Sequence, residues 1–302
     1  MRRVLRLLCG GVLLWTAQAA EGKEGGAAHI PAGVLHVTTG LAELPDGKLY
    51  YESVGAGPAV VLIHSGGFDR RMWDDQFMAF AHRGRVIRYD VRGAGKSPMA
   101  RAQYLNAEDL YGLLRFLYVR KAALIGVSLG GKIAIDFALA HPDMVTALIP
   151  VATGVSGYEF SDEFMDRYRA VASAAHVQGA ARAAPLWLDD PLFHVARKDP
   201  AVYQKLLRIA EANGESWQNG PLADSRPPAL ARLAAIHAPT LVIVGSEDIN
   251  EIRELADVVV RTVPGANKVV MPGADHALNM EQPTEFNRIV LDFLRPHQSA
   301  GP

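Results

Sequence analysis

Short, unbroken apolar runs recur along this chain with helix-type segments between them, and that alternation limits the folds open to it more than any other feature. AVVLIH at 59–64, AALIGV at 122–127, VTALIPVAT at 145–153 and TLVIVG at 240–245 are almost wholly apolar, the mark of strands buried on both faces. KLYYESV at 48–54, RVIRYD at 85–90 and NKVVMP at 267–272 are also strand-like. Helical spacing fills 72–83, 107–118, the stretch ending near His141, 251–262 and 284–294. Short strands alternating with helices predict an α/β fold: a mostly parallel central sheet with helices on both faces.

Between 155 and 235 the rhythm breaks. That stretch holds helix-type patterns and several Trp and Pro residues but no convincing strand, and the alternation resumes after it. A separate domain starting at 155 would leave the last two strands without a sheet. The simpler expectation is one sheet domain, 36–154 plus 236–296, interrupted by a helical cap over 155–235.

The N-terminus is of another kind. Residues 1–20 carry Arg2, Arg3 and Arg6, an apolar run from Leu7 to Trp15, and then Ala17-Gln18-Ala19. A basic start, a short apolar stretch and a small-x-small site predict a signal peptide. The run is too short for a bilayer span of ~20 residues, so export to the periplasm or medium is expected, without stable membrane insertion. Residues 21–35, rich in Gly and Ala at their start, read as a linker. Cys9, the only cysteine of the 302 residues, lies in the segment to be removed, which leaves the mature chain without a thiol, disulfide or Cys metal site. Net charge is −1, and removal of the three arginines leaves 28 basic against 32 acidic residues. Nothing in that balance points to nucleic acid.

Three polar residues carry the chemistry. Gly126-Val127-Ser128-Leu129-Gly130 follows the strand at 122–127 and precedes a helix. In a G-x-S-x-G turn the serine sits on a strained strand-to-helix reversal, and the glycines let the chain pass close to itself. A hydroxyl is a weak nucleophile and needs a base oriented by a third group. Asp248 follows one late strand and His276 the next, both at the strand edge where open parallel sheets place ligands. Glu247 and Asp275 are competing acids, each adjacent to a proposed triad member, and Asp248 is preferred because adjacent side chains point different ways. The oxyanion needs backbone N–H donors; Leu129, after the nucleophile, supplies one. The loop His64-Ser65-Gly66-Gly67-Phe68 supplies the other, with Gly66 the best placed.

From about 36 to 295 the chain resembles the α/β-hydrolase superfamily. The residues that carry the resemblance are the elbow around Ser128, the strand-plus-HxGG loop followed by Trp73, Asp90-Val91-Arg92-Gly93-Ala94-Gly95-Lys96-Ser97, the acid after a late strand, and His276 followed by Glu281-Gln282-Pro283. RRMWDDQF and VIRYDVRGAGKS are most similar to the branch of enol-lactonases, small esterases and cofactor-free haloperoxidases. Two positions depart from the family pattern, Ser65 and Asp275, where glycine is usual. The resemblance implies a serine hydrolase that cleaves a small-molecule ester or lactone through an acyl-enzyme, with no cofactor. Two alternatives stand beside it: carbon–carbon bond hydrolysis or perhydrolysis with the same triad, and a non-catalytic ligand-binding member of the fold. Substrate-contacting residues are not identifiable, though Trp187, Leu188, Phe193 and Trp217 of the cap are apolar candidates. A mostly apolar pocket predicts short or medium, uncharged acyl groups.

Overall fold

A computed structural model describes residues 35–45, 47–100, 102–213, 217 and 227–297; the expected signal peptide and most of the linker lie outside these. Eight strands form one sheet: β1 (Thr38–Leu44), β2 (Gly47–Val54), β3 (Ala59–Ile63), β4 (Arg85–Tyr89), β5 (Ala122–Val127), β6 (Val145–Val151), β7 (Leu241–Gly245) and β8 (Asn267–Met271). Their order is β1-β2-β4-β3-β5-β6-β7-β8. Only β1 against β2 and β2 against β4 run antiparallel; every later pairing is parallel. Every residue of β5 is buried, as is nearly all of β3 and β6, which is why these strands read as continuous apolar runs.

The helices follow the predicted places closely: α1 (Asp74–Ala81), α2 (Asn106–Phe116), α3 (Leu129–Ala140), α7 (Asn250–Thr262) and α9 (Pro283–Leu294), with the single turn α8 (Leu278–Glu281) before the last. They lie on both sides of the sheet. Between β6 and β7 the described residues contain α4 (Asp162–Gln178), α5 (Ala180–Leu188) and α6 (Pro200–Glu211) with short 3-10 turns, and no strand. No helix of the described residues is long and apolar enough to cross a membrane.

One strand has no counterpart in the apolar pattern of the sequence. β1 (TTGLAEL) buries only Ala42 among its seven residues, so it has almost no apolar pattern, and its place comes from unbroken pairing, Thr38 with Ser53 through Leu44 with Gly47. β6 carries Pro150 in mid-sheet. Leu148 and Ala152 donate their N–H groups to β7-side carbonyls, those of Pro239 and Ile243. Residue 150 falls between them on the same side and has no N–H to give. Consistent with that gap, β6 meets β7 only at Val151–Ile243 and at the bridge Leu148–Thr240.

Candidate active site

The chain reverses at Ser128 between β5 and α3, with φ +55° and ψ −109°. Such a conformation costs a non-glycine residue ~1–3 kcal/mol and persists only when its surroundings hold it. Here Ser128 N–H donates to the Val151 carbonyl at 2.8 Å, while its own carbonyl accepts from Lys132 at 3.0 Å and Gly154 at 3.3 Å. The flanking glycines are needed for space. A Cβ on Gly126 would collide with the Gly130 carbonyl, and one on Gly130 with that of Ile63 at the end of β3. The close approach of these backbones sets the serine at the carboxyl edge of the sheet's central strands.

The loop after β3 is pinned by a buried imidazole. His64 Nε2 accepts from the N–H of Val91 at 2.8 Å, so its proton is on Nδ1, which donates to the Ser65 carbonyl at 2.8 Å. Burial, the largest influence, holds this histidine below its ordinary range, in keeping with the neutral ring those two bonds require. His64 therefore ties the oxyanion-loop candidate to the Asp90–Ser97 loop. That loop is itself closed by Ser97 Oγ, which donates to the Asp90 carbonyl at 2.6 Å and accepts from Tyr50 N–H at 2.8 Å. Gly66 lies against Leu129: a Cβ on Gly66 would be 3.8 Å from that of Leu129. The two backbones selected from the sequence as oxyanion donors thus lie side by side.

Asp248 and His276 stand on the loops after β7 and β8. His276 Nδ1 lies 3.0 Å from Asp248 Oδ2, and Asp248 Oδ1 accepts from Ile249 N–H at 2.8 Å. Both side chains are almost fully buried. Burial alone would lower the imidazole's pKa, but the charge and hydrogen bond of Asp248, helped by Asp275 and Asp190, outweigh it and raise it above the ordinary value. The competing acids point elsewhere. Asp275 accepts from Val195 N–H at 2.6 Å, and Glu247 is exposed with its carboxylate on Ser246 Oγ.

His276 Nε2 is buried and has no hydrogen-bond partner among the described residues. His276 lines a cavity of about 250 Å³ together with Ser128, Gly66 and Leu129. An imidazole held at Nδ1 by a carboxylate and lining one cavity with a serine is an arrangement that can supply a general base to that hydroxyl, by contacts of a kind that often tighten only when substrate is present. The segment between β6 and β7 covers this cavity with Phe160, Phe164, Met165, Tyr168, Trp187 and Leu192. A larger open groove of about 910 Å³ beside α2 contains neither serine nor histidine.

Of the four aromatic or apolar residues singled out in the sequence, only Trp187 lines the cavity. Leu188 and Phe193 are buried outside its lining, Phe193 edge-on to His276 at 5.9 Å between ring centroids. Trp217 packs edge-on to Trp187 at 5.2 Å and lines a neighbouring groove. The residues overlooked, Phe164, Met165 and Tyr168, occupy one face of α4 at helical spacing. That spacing was legible but is diluted by the charged residues between them. Lys132, which no sequence motif marks, lines the cavity as well.

The sequence pattern of the alpha/beta hydrolase family matches residues 60–289. The 3-oxoadipate enol-lactonase 1 of Acinetobacter baylyi is 27% identical over 244 residues, 80% of this chain and 90% of that protein. A putative carbamate hydrolase of Azorhizobium caulinodans is 28% identical over 260 residues, 82% of this chain and 95% of that one. Among solved structures, a thermophilic esterase from Thermogutta terrifontis superposes with a TM-score of 0.75 at 29% identity, covering 87% of this chain and all of the esterase. The chain belongs to the alpha/beta hydrolase family. These three relatives, each matched across most of the chain, are hydrolases, and the coarse activity class is theirs.

Proposed function

We propose that this protein hydrolyses a carboxylic ester or lactone of a small molecule through an acyl-enzyme on Ser128. The observation that carries the reading is the shared cavity: Ser128 on its positive-φ turn, and His276 with Nδ1 on Asp248 and Nε2 unpartnered among the described residues. His276 Nε2 takes the Ser128 proton as Oγ attacks the carbonyl carbon, while Asp248 fixes the tautomer and supports the imidazolium. The N–H groups of Leu129 and Gly66 receive the oxyanion. The imidazolium then protonates the leaving alkoxide, which in a lactone stays tethered to the acyl group. Water, deprotonated by the same ring, attacks the acyl-enzyme, and release of the acid restores Ser128. The helices of 155–235 act as a cap that walls the cavity and excludes water.

A fluorophosphonate probe, followed by peptide mass spectrometry, tests the nucleophile: the adduct belongs on Ser128 and is absent from Ser128→Ala. A panel of p-nitrophenyl esters, lactones and vinylogous diketones tests the bond cleaved. Turnover confined to the diketones would replace ester cleavage with carbon–carbon hydrolysis. Export is part of the same proposal, since residues 1–20 carry the pattern of a cleaved leader. Amino-terminal sequencing of protein from the periplasm or medium should begin near Ala20 or Glu21, and an intact Met1 on cytosolic protein would overturn it.

A further inference from the structure

One side chain in the cavity does not belong to an apolar acyl pocket. Lys132 lies on the first turn of α3 and lines the same cavity as Ser128 and His276, among Phe160, Phe164, Trp187 and Ile252. Its position follows from helix geometry. Residue 132 is four places after Ser128, so it stands on the same helix face, and helical side chains lean back toward the helix N-terminus. That direction is the serine's.

Among the described residues, the Lys132 ammonium has no ion-pair or hydrogen-bonding partner. The acid one turn further along, Asp136, is buried and accepts from Ser156 Oγ at 2.7 Å. A half-buried cation beside aromatic walls gives up hydration, and an anion in the same space restores its interactions. An ammonium with three donors and no acceptor selects an oxygen anion.

We propose that Lys132 is a specificity-determining residue that binds a carboxylate on the substrate, so that the preferred ester or lactone carries a free carboxylate a few bonds from the scissile carbonyl, as in the monoester of a dicarboxylic acid. This rests on the ester-hydrolase reading for the reacting group but not for the binding of the anion. It replaces the uncharged acyl preference expected from the apolar residues of 155–235 alone. The lysine takes no part in bond making; it holds the substrate's remote end and orients the carbonyl over Ser128.

The test pairs monoethyl succinate with ethyl 4-methylpentanoate, whose isopropyl end matches the carboxylate in shape and lacks its charge, in a pH-stat assay. The ratio of their kcat/KM values should favour the monoester in the wild type. It should fall about tenfold in Lys132→Met, the loss of roughly 1.4 kcal/mol of interaction, and be largely kept in Lys132→Arg. A ratio unchanged in Lys132→Met overturns the proposal. A second arm is independent of turnover. In the Ser128→Ala background, calorimetric titration with monoethyl succinate should give a Kd about tenfold weaker when Lys132 is also Met. Equal affinities overturn the carboxylate site. Absence of hydrolysis of either ester by the wild type, with the affinity difference present, overturns the ester-hydrolase reading and leaves the anion site standing.

Discussion

At residue scale, the molecule's chemistry depends on which polar atoms are left without partners. His276 Nδ1 is held by Asp248, its Nε2 has no hydrogen-bond partner among the described residues, and the ring lines the same cavity as Ser128. Ser128→Ala should therefore leave a folded protein whose esterase turnover falls to the ~10³–10⁴-fold excess over water that binding and oxyanion contacts supply. Near wild-type turnover on a p-nitrophenyl ester would assign the nucleophile elsewhere. Asp248→Asn should cost about 10⁴-fold by analogy with the wrong-tautomer effect in a serine protease, and Asp275→Asn much less, because Asp275 serves Val195; the opposite ranking would exchange the two acids. The pH dependence follows with its sign. A general base must be neutral, and the folded environment raises the pKa of His276 above its ordinary value. Activity should therefore climb with pH through a midpoint above about 6.5. Steady-state kcat/KM from pH 5 to 9 reads this directly, and a midpoint below 6 would contradict the Asp248 contact. Ser128, Asp248 and His276 were legible because strand-end context singles them out. Lys132 was not, since a lysine in a helix reads as an ordinary solvated residue until its neighbours in space are known.

At element scale, the parallel strands were legible for a physical reason: burial on both faces removes polar residues from them, as in β3, β5 and β7. β1 escaped notice because its order comes from backbone pairing with β2 while its side chains stay mostly at the surface. The insertion between β6 and β7 was legible as helical, but which of its faces meets the serine was not, because a helix's inner face is fixed only by what it packs against. α4 turns Phe164, Met165 and Tyr168 to the cavity, and α5 contributes Trp187. Each methylene buried there is worth about 0.8 kcal/mol, so these walls should set the acyl length. Tyr168 is 37% exposed, and Tyr168→Ala should cost little stability while moving the preferred ester toward longer chains. Trp187→Leu should do the same with a larger loss of melting temperature, since Trp187 also packs edge-on to Phe193 and Trp217. Kinetics on esters from acetate to palmitate checks both. A wild-type optimum at palmitate, or a profile that neither variant alters, would remove this segment from the substrate's path.

At the scale of the whole molecule, stability and pH are linked through buried carboxyls that lie near the site but outside its chemistry. Asp69 is held down at about 2: burial, its largest influence, would raise it, but hydrogen bonds from Arg71 and Asn213 prevail. Its contribution is present above about 3.8 and is lost as pH falls through 2. Glu281 behaves in the opposite sense. Burial first, and then the neighbouring Asp275, push it up to about 9, while its Oε2 accepts from Asp275 N–H at 2.8 Å and its Oε1 is buried with no hydrogen-bond partner among the described residues. Between about 4.5 and 9 the folded chain holds a proton on Glu281 that the unfolded chain has released. Stability from this group is thus complete below about 4.5 and declines as pH rises, by at most ~1.4 kcal/mol per pH unit, until it is gone above 9. Glu281→Gln removes that titration while keeping an acceptor for the Asp275 N–H and a donor where the acid carried its proton. The Gln variant should therefore gain on the wild type steadily from pH 5 to 9 and by little more beyond. Chemical denaturation of both proteins at half-unit pH intervals measures the difference, and curves that stay parallel across that range would mean Glu281 is ionised in the fold.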